Sequence, residues 1–436
     1  MSRRLDARAP DFEGLFEGYL SAHRGQEQDV ATAVRAIIQD VRTRGDTALF
    51  ALTERFDQIR LDSDTVRVCA KEIDEAEQQC STAALSALTT AAARIESYHR
   101  RQLPRDEWFD DDTGAKLGWR WTPLDSVGIY VPGGTASYPS SVLMNAIPAR
   151  VAGVRRVAMV SPASKGTINP LVLAAARRAG VSEVYRVGGA QAVAALAFGT
   201  ESIKPVDKIV GPGNAYVAEA KREVFGRVGI DSIAGPSEIL IIADDSGNPE
   251  WIAADLLSQA EHDESSQCVL ITNSEALADR VAAEVTRSIA LLPRRKIAEA
   301  SWRDHGAIIL VAAIEGACHL ADRMAPEHLE IVTAHPEGVM ANIRHAGAIF
   351  LGPSTPEAMG DYIAGPSHVL PTSRTARFSS GLSVLDFMKR TTLLQCSPET
   401  LSAIGADAIA LAEAEGLDAH ARAIAARLNR RRPNQV

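Results

Sequence analysis

Two short stretches of this chain are dense in side chains that can ligate a metal or move a proton. In "LLSQAEHD", Gln259 and His262 stand three residues apart, a spacing that puts both on one face of a helix, with Glu261 and Asp263 beside them. A solvated helix end and half of a metal site both use such residues, and residue type alone does not decide between them. In "APEHLEIV", Glu327 and His328 follow Pro326 and lead straight into an apolar run. An imidazole titrates near neutrality and can take a hydroxyl proton, while a neighbouring carboxylate can act on water, so the pair suits stepwise acid–base work. A capping Glu beside a half-buried His is the plainer alternative. Asp361 and His368 in "MGDYIAGPSHVLPT" and His420 in "EGLDAH" are further ligand types. Catalytic zinc accepts nitrogen and carboxylate ligands with one position left open, so no thiolate shell is needed.

Something must position these groups. From Ser126 onward, short apolar runs end in glycine and give way to helical patterns: "SVGIYVPGG", "RRVAMVSP", "SEVYRVGG" and "VDKIVGPGN". That alternation predicts βαβα units and a mainly parallel sheet. "SEILIIADD", "SQCVLITN", "HGAIILV", "EHLEIVT" and "AIFLGP" make a second set, with a break near residues 233 to 238 where Gly235 and Pro236 interrupt both periods. In open parallel sheets ligands bind beyond the carboxyl ends of strands. The turns Gly133-Gly134, Gly188-Gly189 and Gly211-Pro212-Gly213-Asn214 fall there, with Tyr130, Gln191 and Asn214 alongside. They are candidate cofactor loops or simply tight strand-to-helix turns, and none is the GxGxxG fingerprint of a dinucleotide fold.

Upstream, Val30, Val34, Ile37, Ile38 and Val41 recur at helical spacing, Gly45 punctuates, and Leu49, Leu52 and Phe56 open a second amphipathic run. A third helix is expected from Ser81, as N-cap, to Tyr98, and the polar "LPRDEWFDDDTGAK" reads as a loop. A final helical segment spans Pro398 to Arg427 with no strand after it, so it docks on another surface, which a second subunit could supply.

The composition is that of a soluble globular protein: 436 residues, 46% hydrophobic and 23% charged, long enough for more than one core. A net charge of −9 argues against a nucleic-acid surface, the one dense basic cluster being the terminal "RLNRRRP". The five cysteines form no CxxC pair, so neither a disulfide framework nor a thiolate zinc site is indicated. No apolar signal core opens the chain and no stretch approaches the ~18 apolar residues of a membrane span, which predicts a cytoplasmic protein with no membrane partner.

The motifs "YVPGGTASYPSSVLMNAIPA", "GGAQAVAALAFGTES", "VDKIVGPGNAYV", "AGPSEILIIAD", "LLSQAEHD", "APEHLEI", "GDYIAGPSHVLPT" and "EGLDAH" occur in this order, and with them the sequence resembles the histidinol dehydrogenase family from about residue 26 to the end. The resemblance implies a homodimeric zinc enzyme that oxidises L-histidinol through L-histidinal to L-histidine with two NAD+ in succession. It carries zinc ligation onto Gln259, His262, Asp361 and His420, the last reaching in from a partner subunit. Glu327 and His328 match the catalytic pair, Ser237, His368 and Glu415 match further substrate contacts alongside the zinc ligands and the catalytic pair, and Tyr130, Gln191 and Asn214 match the NAD+ site. Zinc would orient the substrate's imidazole and amine nitrogens rather than activate water.

The fold implied is α/β: two Rossmann-like parallel-sheet domains with a helical N-terminal arm and a helical C-terminal segment exchanged in a homodimer. We expect residues 1–25 to form the arm. Residues 26–129 with 237–382 would be the α/β domain carrying metal and catalytic residues, 130–236 the nucleotide-binding domain, and 383–436 the C-terminal helical dimerisation segment. One departure is visible: the family most often has Asn before the loop histidine, and this chain has Ser367, a shorter donor that could change how His368 is held. Relatives of this family oxidise other small alcohols, which leaves a zinc- and NAD-dependent enzyme for another polar alcohol as the first rival, and a non-catalytic metal- and nucleotide-binding homologue as the second.

Overall fold

The computed structural model describes residues 2–22, 30–133, 138–163, 166–233 and 235–428. Gly134, positions 135–137 of the first glycine loop, residues 23–25 of the expected arm and the basic tail from residue 429 lie outside the described residues. The chain opens with β1 (Arg3–Asp6), and β2 (Glu107–Asp110) and β3 (Lys116–Pro123) follow after a run of helices. Next come β4 (Ser126–Tyr130), β5 (Arg156–Val160), β6 (Glu183–Tyr185), β7 (Lys208–Val210) and β8 (Gly229–Ile230). Then follow β9 (Glu238–Ala243), β10 (Gln267–Thr272), β11 (Ala307–Leu310), β12 (His328–Val332), β13 (Ala348–Leu351) and β14 (Met388–Gln395).

Strands β4 to β8 make a five-stranded parallel sheet in the order β6-β5-β4-β7-β8, and the second set makes a six-stranded parallel sheet in the order β1-β11-β10-β9-β12-β13. Sheets covered on both faces need strands that are apolar almost throughout, and β9 is buried at every position, Glu238 included. Because successive side chains alternate, Ile239 and Ile241 join Leu256, Val281 and Trp302 in one core, while Leu240 and Ile242 join Phe16 and Leu320 in the other. Each such Ile or Leu withdrawn from water contributes about 1.5–3 kcal/mol. The helices Ala31–Arg44 and Asp46–Asp57 turn at Gly45, which holds φ 53°, and put Val34, Val41 and Leu49 into the core of the five-stranded sheet beside Leu196 and Ile209. The helix Thr82–Arg100 has the expected cap, Ser81 Oγ accepting from the Ala84 N–H at 3.2 Å.

Three expectations are corrected. The N-terminal arm is not wholly helical: β1 pairs with β11 before the helix Phe12–Ala22 begins. Its pairing is a matter of backbone hydrogen bonds, Ala7 N–H to Leu310 O at 2.8 Å among them, and Leu5 is its one buried side chain, so no apolar alternation announces it. The polar stretch after residue 102 is not all loop, since β2 lies in it, and the C-terminal segment is not wholly helical, since β14 opens it. Both strands are largely exposed on their two faces, which removes the period that reveals a strand.

The chain divides into two compact units, Met1–Gln102 with Leu124–Phe387, and Leu103–Pro123 with Met388–Val436. The first holds both parallel sheets. The second holds the antiparallel sheet β14-β3-β2 and the helices Pro398–Ala414 and Asp418–Leu428, which meet where Gly405 lies against Ile424 and Leu428. Among the described residues no helix is long and apolar enough to cross a membrane.

Candidate functional site

Strands β9 and β12 are neighbours in the six-stranded sheet and mark its switch point, with β10 and β11 running to one side and β13 to the other. The helices that return after β9 and β13 bring their C-terminal turns back to the amino edge of the sheet, and there the polar side chains gather. Glu238 opens β9, and Glu327 precedes His328 at the start of β12. The Glu238 N–H donates to Glu327 Oε2 at 3.0 Å and the Glu327 N–H donates to Glu238 Oε2 at 3.3 Å, which ties the two strand starts together. The Glu238 carbonyl accepts from His328 Nδ1 at 2.9 Å. That bond fixes the tautomer, because a carbonyl cannot donate: Nδ1 carries the proton and Nε2 the lone pair. Nε2 is buried without a hydrogen-bond partner, 3.7 Å from Glu357 Oε1 and 4.0 Å from Asp361 Oδ1.

Burial holds the His328 imidazole below its ordinary pKa, with Asp361 pulling the other way, so the ring is a neutral acceptor at neutral pH. His368 is placed in the same manner. Its Nδ1 donates to the Asp361 carbonyl at 2.9 Å, Ser141 Oγ stands 3.4 Å from its Nε2, and burial lowers its pKa too. Carboxyls crowd the same space. Burial pushes Glu238 up to about 7, and Glu327 well above the carboxylate range, with the charges of Glu238, Asp361 and Glu357 adding to the push on Glu327. Burial and the neighbouring Asp361 and Glu330 push Glu357 up to about 9. A divalent cation among these groups reverses that push.

Gln259 is buried in the last turn of the helix Pro249–Ala260, and its Oε1 has no hydrogen-bond partner. The expectation that Gln259 and His262 share a helix face is corrected: the helix ends at Ala260, and His262 sits in the following turn, its N–H donating to Gln259 O at 3.1 Å. Beyond the ending, Asp263 Oδ1 accepts the Ser265 N–H at 2.9 Å, a local turn that competes with any further helical bonding. His262 is exposed, yet near enough that its charge opposes protonation of both His328 and His368. His328, Glu357 and Asp361 each offer a ligand atom, all within 4.8 Å of one another. Buried lone pairs on Gln259 Oε1 and Glu357 Oε1 with no donor, near the Asp361 carboxylate, are what a cation site needs and what a hydrogen-bonded core avoids, so these residues fit a metal ion, while His328 Nε2 faces the same space.

Further hydrogen bonds hold these side chains in place. Arg94 donates through Nε to Ile363 O at 2.7 Å and through Nη2 to Ala364 O at 3.2 Å, anchoring the loop between Asp361 and His368. Ser367 Oγ accepts the Val369 N–H at 3.2 Å, so the residue that departs from the family pattern braces the backbone beyond His368 and not the ring. Ser237 directly precedes Glu238, and its carbonyl accepts the Gln267 N–H at 2.9 Å. Glu415 and His420 are exposed in the second unit, the former capping the helix Pro398–Ala414 and the latter within Asp418–Leu428.

The five-stranded sheet has its switch point between β4 and β7, and at the carboxyl ends of those strands stand Tyr130 and the loop Gly211–Asn214. The Tyr130 hydroxyl accepts the Gly189 N–H at 3.0 Å, which leaves its own proton to donate, and burial pushes the phenol up to about 12. Gln191 is buried in the helix that begins at Gly189. Asn214 caps the helix Ala215–Val224, its Oδ1 accepting from Tyr216 N at 3.1 Å and Val217 N at 3.2 Å, so only its amide N–H groups remain for a ligand.

A family model described as histidinol dehydrogenase matches residues 20–428. The histidinol dehydrogenase of Bradyrhizobium diazoefficiens is 60% identical over 429 residues, covering 98% of this chain and 100% of that protein. That of Nitrobacter winogradskyi is 61% identical over 429 residues, with the same coverage of 98% and 100%. The crystal structure of histidinol dehydrogenase from Elizabethkingia anophelis superposes with a TM-score of 0.93 at 35% identity, covering 98% of each chain. The chain belongs to the histidinol dehydrogenase family. For this member of the family, three buried carboxyls at the site went unnoticed in the sequence. Glu238 and Glu330 are the only charges inside the strand runs "EILIIA" and "HLEIV", a signal that a buried acid has a task, and Glu357 lies one helical turn before Asp361.

Proposed function

We propose that this chain is a zinc-dependent dehydrogenase that oxidises L-histidinol through L-histidinal to L-histidine with two NAD+, closing histidine biosynthesis. The observation that carries the reading is the neutral His328 Nε2, unpartnered and buried, with Glu327 adjacent and Asp361 within 4.0 Å. We assign Gln259, His262, Asp361 and the partner subunit's His420 to the metal, which when bound supplies a Lewis acid that orients the substrate's nitrogens. Support for the shared site comes from the second unit, which exposes Trp108, Phe109, Leu394 and Leu411, large apolar side chains of the kind subunits bury.

His328 Nε2 takes the hydroxyl proton of the bound alcohol as hydride passes from the carbinol carbon to NAD+, giving the aldehyde. Glu327 then takes a proton from water as its oxygen adds to the aldehyde carbon. His328 returns its first proton to the carbonyl oxygen, completing the diol, and, neutral again, takes a hydroxyl proton of that diol as the second hydride leaves to a second NAD+. His368, Ser237 and the partner subunit's Glu415 hold the substrate's polar groups. Tyr130, Gln191 and Asn214 hold the dinucleotide.

Purified protein should form two NADH per L-histidinol, with no free aldehyde trapped by a hydrazine; turnover of another alcohol but not of histidinol overturns the reading. Glu327→Gln should cost the histidinal step about 10²–10⁴ in rate while the histidinol step falls far less, because only the second needs activated water. Equal losses in both steps, measured with each substrate separately, would remove Glu327 from the water-activating role. The base must be unprotonated, and burial depresses its pKa, so kcat/KM rises with pH through a value below the ordinary imidazole pKa of about 6.5 and levels above it. A rising limb centred above that value contradicts the assignment.

A further inference from the structure

Lys221 and Asp231 form an ion pair almost wholly out of water, their side chains 3% and 5% exposed. Taking two charges out of water is costly unless their remaining valences are satisfied. Here they are spent on one residue. Asp231 Oδ2 accepts the Gly211 N–H at 2.7 Å, and Lys221 Nζ donates to the Gly211 carbonyl at 3.1 Å, so both polar groups of Gly211 are gripped by opposite ends of one ion pair. Lys221 lies on the helix that Asn214 caps, and Asp231 directly follows β8. Gly211 has φ 106°, and a Cβ there would collide with the Tyr130 carbonyl, so the loop passes against the backbone of Tyr130. The pair thereby sets the loop from Gly211 to Asn214 against Tyr130 and against its own helix.

We propose that Lys221 and Asp231 are positioning residues for the dinucleotide, holding the Gly211–Asn214 loop in its binding conformation without touching the ligand. This rests on the assignment of Tyr130 and Asn214 to NAD+. The test compares Lys221→Met, Asp231→Asn and Asn214→Ala by NADH affinity from calorimetry, KM for NAD+ and for L-histidinol, bound zinc and melting temperature. NADH affinity and KM for NAD+ should worsen about tenfold or more in the Lys221 and Asp231 variants, as losing an outer-shell partner does elsewhere. KM for histidinol and bound zinc should stay within about twofold, since the substrate groups stand on the other sheet. Should Lys221→Met fail to fold, Asp231→Asn, which keeps the side-chain shape and removes the charge, decides. If Asn214→Ala weakens NADH binding and Asp231→Asn does not, the loop assignment stands and the clamp is overturned. If Asn214→Ala leaves NADH affinity unchanged, the cofactor assignment of the loop falls first and the clamp with it. A parallel rise in both KM values with a lower melting temperature marks a general scaffold pair and also overturns the proposal.

Discussion

His328→Gln should lower kcat for both the histidinol and the histidinal steps by about 10²–10⁴, the range that a positioned acid–base group supplies. The substitution is chosen to isolate the lone pair. A Gln amide reaches about the position of Nε2 but is not basic enough to take a proton, and the bond from His328 Nδ1 to the Glu238 carbonyl at 2.9 Å is given up. What disappears as a base is Nε2, the buried atom with no other partner. The cost in stability should be on the order of one hydrogen bond, about 1 kcal/mol, visible as a small shift in denaturant midpoint. Zinc content should be unchanged. Rates within tenfold of the parent in either step would remove His328 as the base for that step, whereas loss of zinc would move it into the ligand shell.

His262→Asn should release the metal. Loss of an outer-shell partner already weakens metal binding about 10–100-fold, and loss of a ligand should exceed that, so dialysed protein should retain little zinc by elemental analysis. His262 is exposed and among the described residues its side chain makes no hydrogen bond or ion pair, so the substitution itself is cheap. The stability change should come through the metal: a ligand that binds only the folded state raises the melting temperature, and its loss returns the protein to its metal-free stability. His262→Asn with or without added zinc should therefore melt where chelator-treated parent melts. Full zinc occupancy in the variant would sink the assignment. Crowded carboxyls make the effect large, because without a cation Glu327 and Glu357 are kept from ionising by burial and by their neighbours' charge.

Much of the candidate site was legible because its motifs are local. "LLSQAEHD" and "APEHLEI" each carry their polar residues within a turn or two, and a strand beginning immediately after Glu327-His328 fixes which edge of the sheet they occupy. The parallel sheets were legible for a related reason: a strand buried on both faces is a nearly unbroken apolar run, a pattern confined to the segment itself. Where both faces are exposed, as in β2 and β14, or where pairing is carried by backbone alone, as in β1, no such pattern exists and the strands escaped notice.

The sequence by itself determined the alternation of elements, the family and the residue types available for chemistry, since these depend on local periods and on motifs in fixed order. Only the tertiary structure decided what those residues can do. It placed the Glu238 carbonyl against His328 Nδ1, and so chose which ring nitrogen keeps its lone pair. It brought Gln259, His328 and the helix turn of Glu357 and Asp361 to one edge from three separate segments, and set Lys221 and Asp231 on either side of Gly211. Tautomer, desolvation and the pairing of charges all follow from distances between residues far apart in the chain, and those distances are products of sheet order and burial that no local pattern encodes.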